Sequence, residues 1–138
     1  MATEMRFPGG GVSKAELLWT NSAPKTAVGA FTITGDYSKY THLIVFGWYD
    51  YSANGTNVHH GGFSIIPKDQ SWSGLFLFKT YNRRAQMRQI GFTDTTITIE
   101  NGADGDSGNN STGCAIPWLI WGVTIKGLED YSVSVQPS

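Results

Sequence analysis

The chain has 138 residues, a formal net charge of −1 and a charged fraction of only 15%. This length is typical of one domain, and the charge balance provides no basic face that could neutralise many phosphates, which argues against nucleic acid as a partner. Glycine, at 17 residues, and aromatic residues, at 13% of the chain, favour short strands and tight turns over helices.

The single cysteine, Cys114, cannot form an internal disulfide, and its place beside an apolar run predicts a packed thiol. Residues 1–6 lead into no apolar segment, so we expect no signal peptide. The longest apolar stretch, Ile116–Val123, is too short to cross a bilayer. We therefore expect no membrane insertion, and no sequence motif indicates a cofactor.

An extended N-terminal arm is predicted at residues 1–14, ahead of one β-sandwich domain at residues 15–138. The arm contains a run of five residues that excludes a helix or a central strand: Phe7, Pro8, Gly9, Gly10 and Gly11. An arm of this composition needs a partner to order it. We expect it to dock on a neighbouring subunit or on a larger assembly.

Short apolar or alternating segments predict strands along the whole domain. They lie at residues 15–20, 29–34, 41–51, 57–66, 75–81, 83–92, 95–100, 116–126 and 131–135. An Asn-Gly pair at residues 54–55 predicts a hairpin, Asn82 predicts a second, and residues 101–113 are expected to form a polar loop. The pattern predicts an all-β fold, an antiparallel β-sandwich that is jelly-roll-like.

Residues 41–51 form the strongest predicted strand, because apolar side chains occupy both of its faces. This is typical of a central strand in a covered sheet, and Trp48 is expected in the core. Trp118 and Trp121 are three residues apart, so they are predicted to face opposite sides of a strand. One of them is then expected in the core and the other at an interface.

Three side chains are candidate ligand contacts: Trp72, Trp121 and His59. Trp72 lies in a predicted loop among polar residues, where an indole can stack on a sugar ring or anchor the loop onto the sheet. His59 and His60 are neighbours in a predicted strand and point to opposite faces. We therefore do not expect a metal site there.

The polar loop contains Asp104 and Asp106, whose spacing resembles the start of a calcium loop. Gly108 and Ala115 stand where an EF-hand needs oxygen ligands, so an EF-hand is excluded. A solvated loop and an irregular cation site both remain open. Arg84, Gln86 and Arg88 share one strand face, which we interpret as a solvated face.

Catalytic signatures such as a nucleophile elbow, a P-loop or a zinc-protease helix do not occur in the sequence, and we expect a protein that is not an enzyme. A hydrolase would need two carboxylates about 5–9 Å apart. The sequence alone cannot pair its four candidates, Asp50, Asp94, Glu100 and Asp104.

The order of several motifs resembles a module of tailed-phage virion proteins of the tail, baseplate and fibre type. The stretches that carry the resemblance are LLWTNSAP at 17–24, FTIT at 31–34, YSKYTHLIVF at 37–46 and IPWLIWGVTIK at 116–126. Trp121 stands where that family commonly has a tyrosine before glycine. The resemblance spans residues 15–126 and carries over no functional residue.

This resemblance implies a bacteriophage virion structural protein, an accessory tail or fibre protein or a head-decoration protein, with possible host-surface attachment. The expected location is the virion, after synthesis in the host cytoplasm. Apolar strands with few charges leave surface that a symmetric oligomer can bury. We expect a homotrimer that contacts other virion proteins. The alternative is a carbohydrate-binding module that recognises a host-surface glycan through exposed aromatic side chains.

Overall fold

A computed structural model describes residues 14–22, 27–51, 58–71, 73–79, 84–105, 110–111 and 113–126. These residues form nine strands and include no helix. The strands are β1 (Glu16–Thr20), β2 (Phe31–Thr34), β3 (His42–Tyr51), β4 (Val58–Pro67), β5 (Gly74–Lys79), β6 (Arg84–Phe92), β7 (Thr96–Asp104), β8 (Asn110–Ser111) and β9 (Ile116–Val123).

The strands pair in two antiparallel sheets. The first sheet has the order β1-β9-β3-β4, and the second has the order β2-β7-β6-β5, with β8 pairing to the far end of β7. The all-β antiparallel prediction is therefore confirmed. In the first sheet β9 lies between β1 and β3, so strands distant in sequence are neighbours in space.

The hydrophobic core lies between the two sheets and explains the alternation along each strand. Leu43, Val45 and Tyr49 of β3 are fully buried on its inner face. They belong to one cluster with side chains of the second sheet, including Ile97 and Ile99 of β7. Because successive side chains of a strand point to opposite faces, the residues between these positions lie on the outer faces.

The two sheets come together along β4 and β5. The backbone N–H of Phe76 donates a hydrogen bond of 3.0 Å to the Ser64 hydroxyl, so a side chain links the two strand edges. On the opposite side of the core, the rings of Trp19 and Phe31 stack with centroids 4.7 Å apart. This stack brings β1 and β2 together.

Both predicted hairpins, β3–β4 and β5–β6, are present. The predicted polar loop at residues 101–113 is wrong at both ends, because β7 continues to Asp104 and β8 pairs with it. The jelly roll is not confirmed, since β5, β6 and β7 pair as sequence neighbours in one sheet. The predicted strand at 131–135 and residues 1–13 of the predicted arm lie outside the described residues.

Candidate functional site

The outer side of the first sheet carries apolar side chains across all four strands. In one row of register partners, Leu17, Trp121, Ile44 and Ile65 lie side by side. In the next row, Leu119 of β9 lies beside Phe46 of β3, and Phe46 lies beside Phe63 of β4. We call this surface the apolar outer face. It consists of Leu17, Ile44, Phe46, Trp48, Phe63, Ile65, Trp118, Leu119 and Trp121.

Solvent reaches this face most at its two edge strands. Phe63 and Ile65 of β4 are 60% and 50% exposed, and Leu17 of β1 is 49% exposed. The residues between them are half-buried by their neighbours, as with the rings of Phe46 and Phe63, whose centroids are 5.6 Å apart. Together these side chains form one contiguous apolar surface that spans all four strands of the sheet.

The outer side of the second sheet differs along β2 and β7. Thr32 faces Thr98, and Thr34 faces Thr96, in the same register that places Phe31 and Ile33 toward the core. Threonine on the outer side and apolar residues on the inner side are typical of a sheet that faces water. The second sheet is therefore polar on its outer side along β2 and β7, whereas Phe76, Phe78 and Met87 are exposed on its strands β5 and β6.

A β-bulge in β9 brings two tryptophans to the same side. The register shifts between Phe46 and Gly47 of β3, so Trp118 is an extra residue in β9 and the alternation changes there. Trp118 packs on Trp48 with ring centroids 5.3 Å apart, and Trp121 lies on the same outer face. The prediction that Trp118 and Trp121 face opposite sides is wrong for this reason. Trp48 is not in the core either, because in β3 it alternates with the buried Tyr49 and so lies on the outer face.

An open cleft of about 630 Å³ lies on the second sheet, where β5, β6 and β7 meet. Phe76 and Met87, which are register partners, line it with exposed apolar surface. The lining also includes three exposed polar residues: Gln89, Glu100 and Asn101.

The shape of the cleft follows from two local irregularities. The register of β6 and β7 shifts between Arg88 and Ile90, and such a bulge bends the strands and re-aims side chains. At Gly74, the first residue of β5, an added Cβ would lie 2.4 Å from the carbonyl oxygen of Arg88. Glycine at this position therefore allows β5 to approach β6 closely.

Beneath the cleft, the inner face of β6 carries two buried polar side chains. Arg88 is 1% and Gln86 is 3% exposed. The Arg88 guanidinium donates to the carbonyl oxygens of Val28, at 2.8 Å, and Cys114, at 2.9 Å. The Gln86 side-chain oxygen accepts a hydrogen bond of 2.9 Å from the backbone N–H of Ala115.

The interpretation of Gln86 and Arg88 as part of a solvated face is therefore wrong. Burial lowers the pKa of the Arg88 guanidinium to about 10, which leaves it charged at neutral pH. Its role is structural, because it holds the segment before β2 and the turn before β9 against the middle of β6. No sequence pattern distinguishes this arrangement from an exposed basic strand.

A second polar cluster joins the edge strand β1 to the turn after β2. The Glu16 carboxylate accepts hydrogen bonds from the Tyr40 hydroxyl, at 2.7 Å, and the Lys39 ammonium, at 3.0 Å. These two hydrogen bonds, that from Tyr40 above all, lower the pKa of Glu16 below its ordinary value. Glu16 and Lys39 are exposed to solvent, whereas Tyr40 is buried in the core.

Of the three predicted contact residues, the structure describes the side chain of Trp121 alone. Trp121 lies on the apolar outer face, whereas the backbone of His59 pairs with Asp50 in the β3–β4 hairpin and its side chain lies outside the described part of the chain. Trp72 and the arm residues Phe7, Pro8, Gly9, Gly10 and Gly11 also lie outside it. Ser73, next to Trp72 in sequence, lines the cleft.

Asp104 ends β7, and Asp106 lies outside the described residues. Within the described ranges no group of three His, Cys, Asp or Glu residues could hold a metal ion. Asp94 forms an ion pair of 2.8 Å with Lys68. Cys114 is buried, which confirms the prediction of a packed thiol.

No helix in the described part of the chain is long and apolar enough to cross a membrane. No protein-family model, no curated protein and no solved structure matches the chain. The two surfaces that bear on function are the apolar outer face and the cleft.

Proposed function

We propose that this protein is a structural subunit of a tailed-phage virion, of the accessory tail or fibre type or the head-decoration type, and that it assembles through its apolar outer face. The observation that carries this proposal is a sheet with apolar side chains on both sides. The inner side forms the core, and the outer side offers a second apolar surface that a neighbouring subunit would cover.

The composition of this surface fits an interface between copies of the chain. All nine of its side chains are apolar, and three of them are tryptophans: Trp48, Trp118 and Trp121. Aromatic residues such as Trp118 and Trp121 are also the types that anchor interfaces, and charged residues are the types depleted from their centres.

A cyclic trimer agrees with the distribution of exposure across the face. The most exposed side chains lie at opposite edges, Leu17 on β1 and Phe63 with Ile65 on β4. In a ring each subunit meets two neighbours through different surfaces, so the β1 edge of one copy would contact the β4 edge of the next. The sequence resemblance to tailed-phage virion proteins supports the same role, which requires no catalysis.

The assembly is tested by measuring the molar mass of the full chain with light scattering over a range of protein concentrations. We expect three times the mass of the chain for the wild type and the mass of a monomer for Phe63→Lys, because a lysine there would bury an unpaired charge in the interface. Thr32→Lys is the matched control, since Thr32 is exposed on the outer side of the other sheet. It should leave the trimer unchanged.

A wild-type monomer at every concentration would overturn the proposed assembly. A Phe63→Lys variant with the wild-type mass would show that copies associate through another surface. The virion role has its own test, which is detection of the protein by mass spectrometry in purified phage particles. Its absence from particles made by a host that expresses it would refute that role.

A further inference from the structure

We propose that the cleft between β5, β6 and β7 binds a neutral saccharide, with one sugar ring against Phe76. This site is separate from the apolar outer face and independent of the proposed assembly. It lies on the outer side of the other sheet, so a trimer formed through the first sheet leaves it accessible. Its volume of about 630 Å³ lies within the range of small-molecule sites.

The lining combines the two kinds of surface that a pyranose needs. Phe76 is 53% and Met87 is 39% exposed, so they offer an apolar surface for the C–H face of the ring. Gln89 and Asn101 each present a donor and an acceptor, and Glu100 presents acceptors alone. Sugar hydroxyls both donate and accept, so each of these groups can take part.

The charge of the lining indicates a neutral ligand. Glu100 is the acidic residue of the lining. Arg88 also lines the cleft, but its guanidinium lies in the core, where it donates to the carbonyl oxygens of Val28 and Cys114. A carboxylate at the rim repels acidic sugars and phosphorylated ligands. Nothing in the described lining would compensate the negative charge of such a ligand.

The floor of the cleft is fixed before a ligand arrives. Gly74 packs directly on the backbone of Arg88, and the N–H of Ile90 donates to the carbonyl oxygen of Ser73 at 2.9 Å. The buried side chains of Gln86 and Arg88 hold β6 from the inner side. A backbone fixed in this way does not have to be ordered on binding, which reduces the entropic cost of association.

The probes for the test are methyl glycosides of glucose, galactose and N-acetylglucosamine, with sialic acid as the acidic comparison. Each is titrated into the ¹⁵N-labelled full chain, and the backbone amide shifts are followed by nuclear magnetic resonance. We expect at least one neutral glycoside to shift amides of residues 73–76, 87–89 and 100–103, with a Kd of roughly 1–10 mM. Sialic acid should bind at least tenfold more weakly than that glycoside.

Two variants identify the site, with one matched control. Phe76→Ala should weaken binding at least tenfold, while Phe78→Ala, at a similarly exposed phenylalanine of β5 that does not line the cleft, should leave it unchanged. Gln89→Ala provides a second test that keeps the aromatic ring, and it should weaken binding severalfold. Circular dichroism of each variant shows whether the fold is retained.

Several outcomes would overturn the proposal. They are no shift with any neutral glycoside up to roughly 50 mM, shifts confined to other strands, equal losses for Phe76→Ala and Phe78→Ala, or preference for sialic acid. The molar mass of the same samples separates this result from the assembly proposal, since a wild-type trimer that binds no sugar refutes the saccharide site alone.

Discussion

Replacing Arg88 with methionine tests whether a buried charge stabilises this fold. The substitution roughly preserves side-chain volume but removes two hydrogen bonds, to the carbonyl oxygens of Val28 and Cys114. Because Arg88 is 1% exposed, solvent screens neither its charge nor its hydrogen bonds strongly. The net effect depends on whether these hydrogen bonds outweigh the cost of burying the guanidinium.

Both sides of that balance can be estimated. Burial lowers the pKa of Arg88 to about 10, which corresponds to roughly 3 kcal/mol that methionine would not incur. Hydrogen bonds to a charged group contribute about 1.5–3 kcal/mol each, and a buried carbonyl left without a donor adds to the loss. We therefore expect Arg88→Met to lower the free energy of unfolding by roughly 2 kcal/mol.

Arg88→Ala should cost more, because it also leaves a cavity beneath the cleft. An additional loss of about 2 kcal/mol is typical of such truncations, so the total is roughly 4 kcal/mol. The assay is urea unfolding followed by tryptophan fluorescence, with all variants at one protein concentration because association affects stability. Thr32→Ala, at an exposed threonine, should stay within about 0.5 kcal/mol of the wild type.

A single result would refute this reasoning. If Arg88→Met is as stable as the wild type or more stable, the hydrogen bonds of Arg88 do not outweigh its desolvation. Such an outcome has precedent in proteins whose buried ion pairs were replaced by apolar residues. The guanidinium would then fix the positions of the two segments that it bonds without adding to the free energy of unfolding.

Two further predictions concern close packing and pH. Gly47→Ala should destabilise the fold by about 1–3 kcal/mol, because the added Cβ would lie 2.4 Å from the Leu75 side chain. Gly91→Ala is the control and should change the urea midpoint little, because the nearest neighbour of its Cβ lies 3.8 Å away. Equal effects would contradict the packing argument. The hydrogen-bonded carboxylate of Glu16 has a lowered pKa, so its stabilisation is present above the unfolded pKa and is lost as pH falls through the folded pKa. Glu16→Gln should therefore lower the Tm at pH 7 but not at a pH below the folded pKa, and a loss of Tm independent of pH would contradict the assignment.

The strands were predictable because their signals are local. Alternation along residues 41–51 and the turn residues after them depend on chain geometry that every sheet shares. Sheet order was not predictable in the same way, because β9 pairs with β1 and β3 through contacts distant in sequence. The apolar character of β3 on both sides was visible, but it did not reveal that the side bearing Trp48 stays partly open.

The candidate sites were the least predictable part, since both depend on irregular pairing. A bulge at Trp118 reverses the alternation on which the placement of Trp121 was based. The bulge near Gln89 shapes the cleft, and no residue pattern predicts this bulge. Arg88 was misjudged because an arginine among polar residues has the same sequence pattern whether its guanidinium faces water or bonds buried carbonyl oxygens.

The position of β9 between β1 and β3 also bears on how the protein folds during synthesis. When the ribosome has produced β1 and β3, β3 can pair with β4, but β1 has no partner in its sheet until residues 116–123 follow. Contacts that close such long loops are slow to form, and the free edges of β1 and β3 can recruit other chains meanwhile. A chain interrupted before Ile116 would therefore keep the β3–β4 hairpin but lose the strand that joins β1 to it, and aggregation of such fragments is the expected consequence.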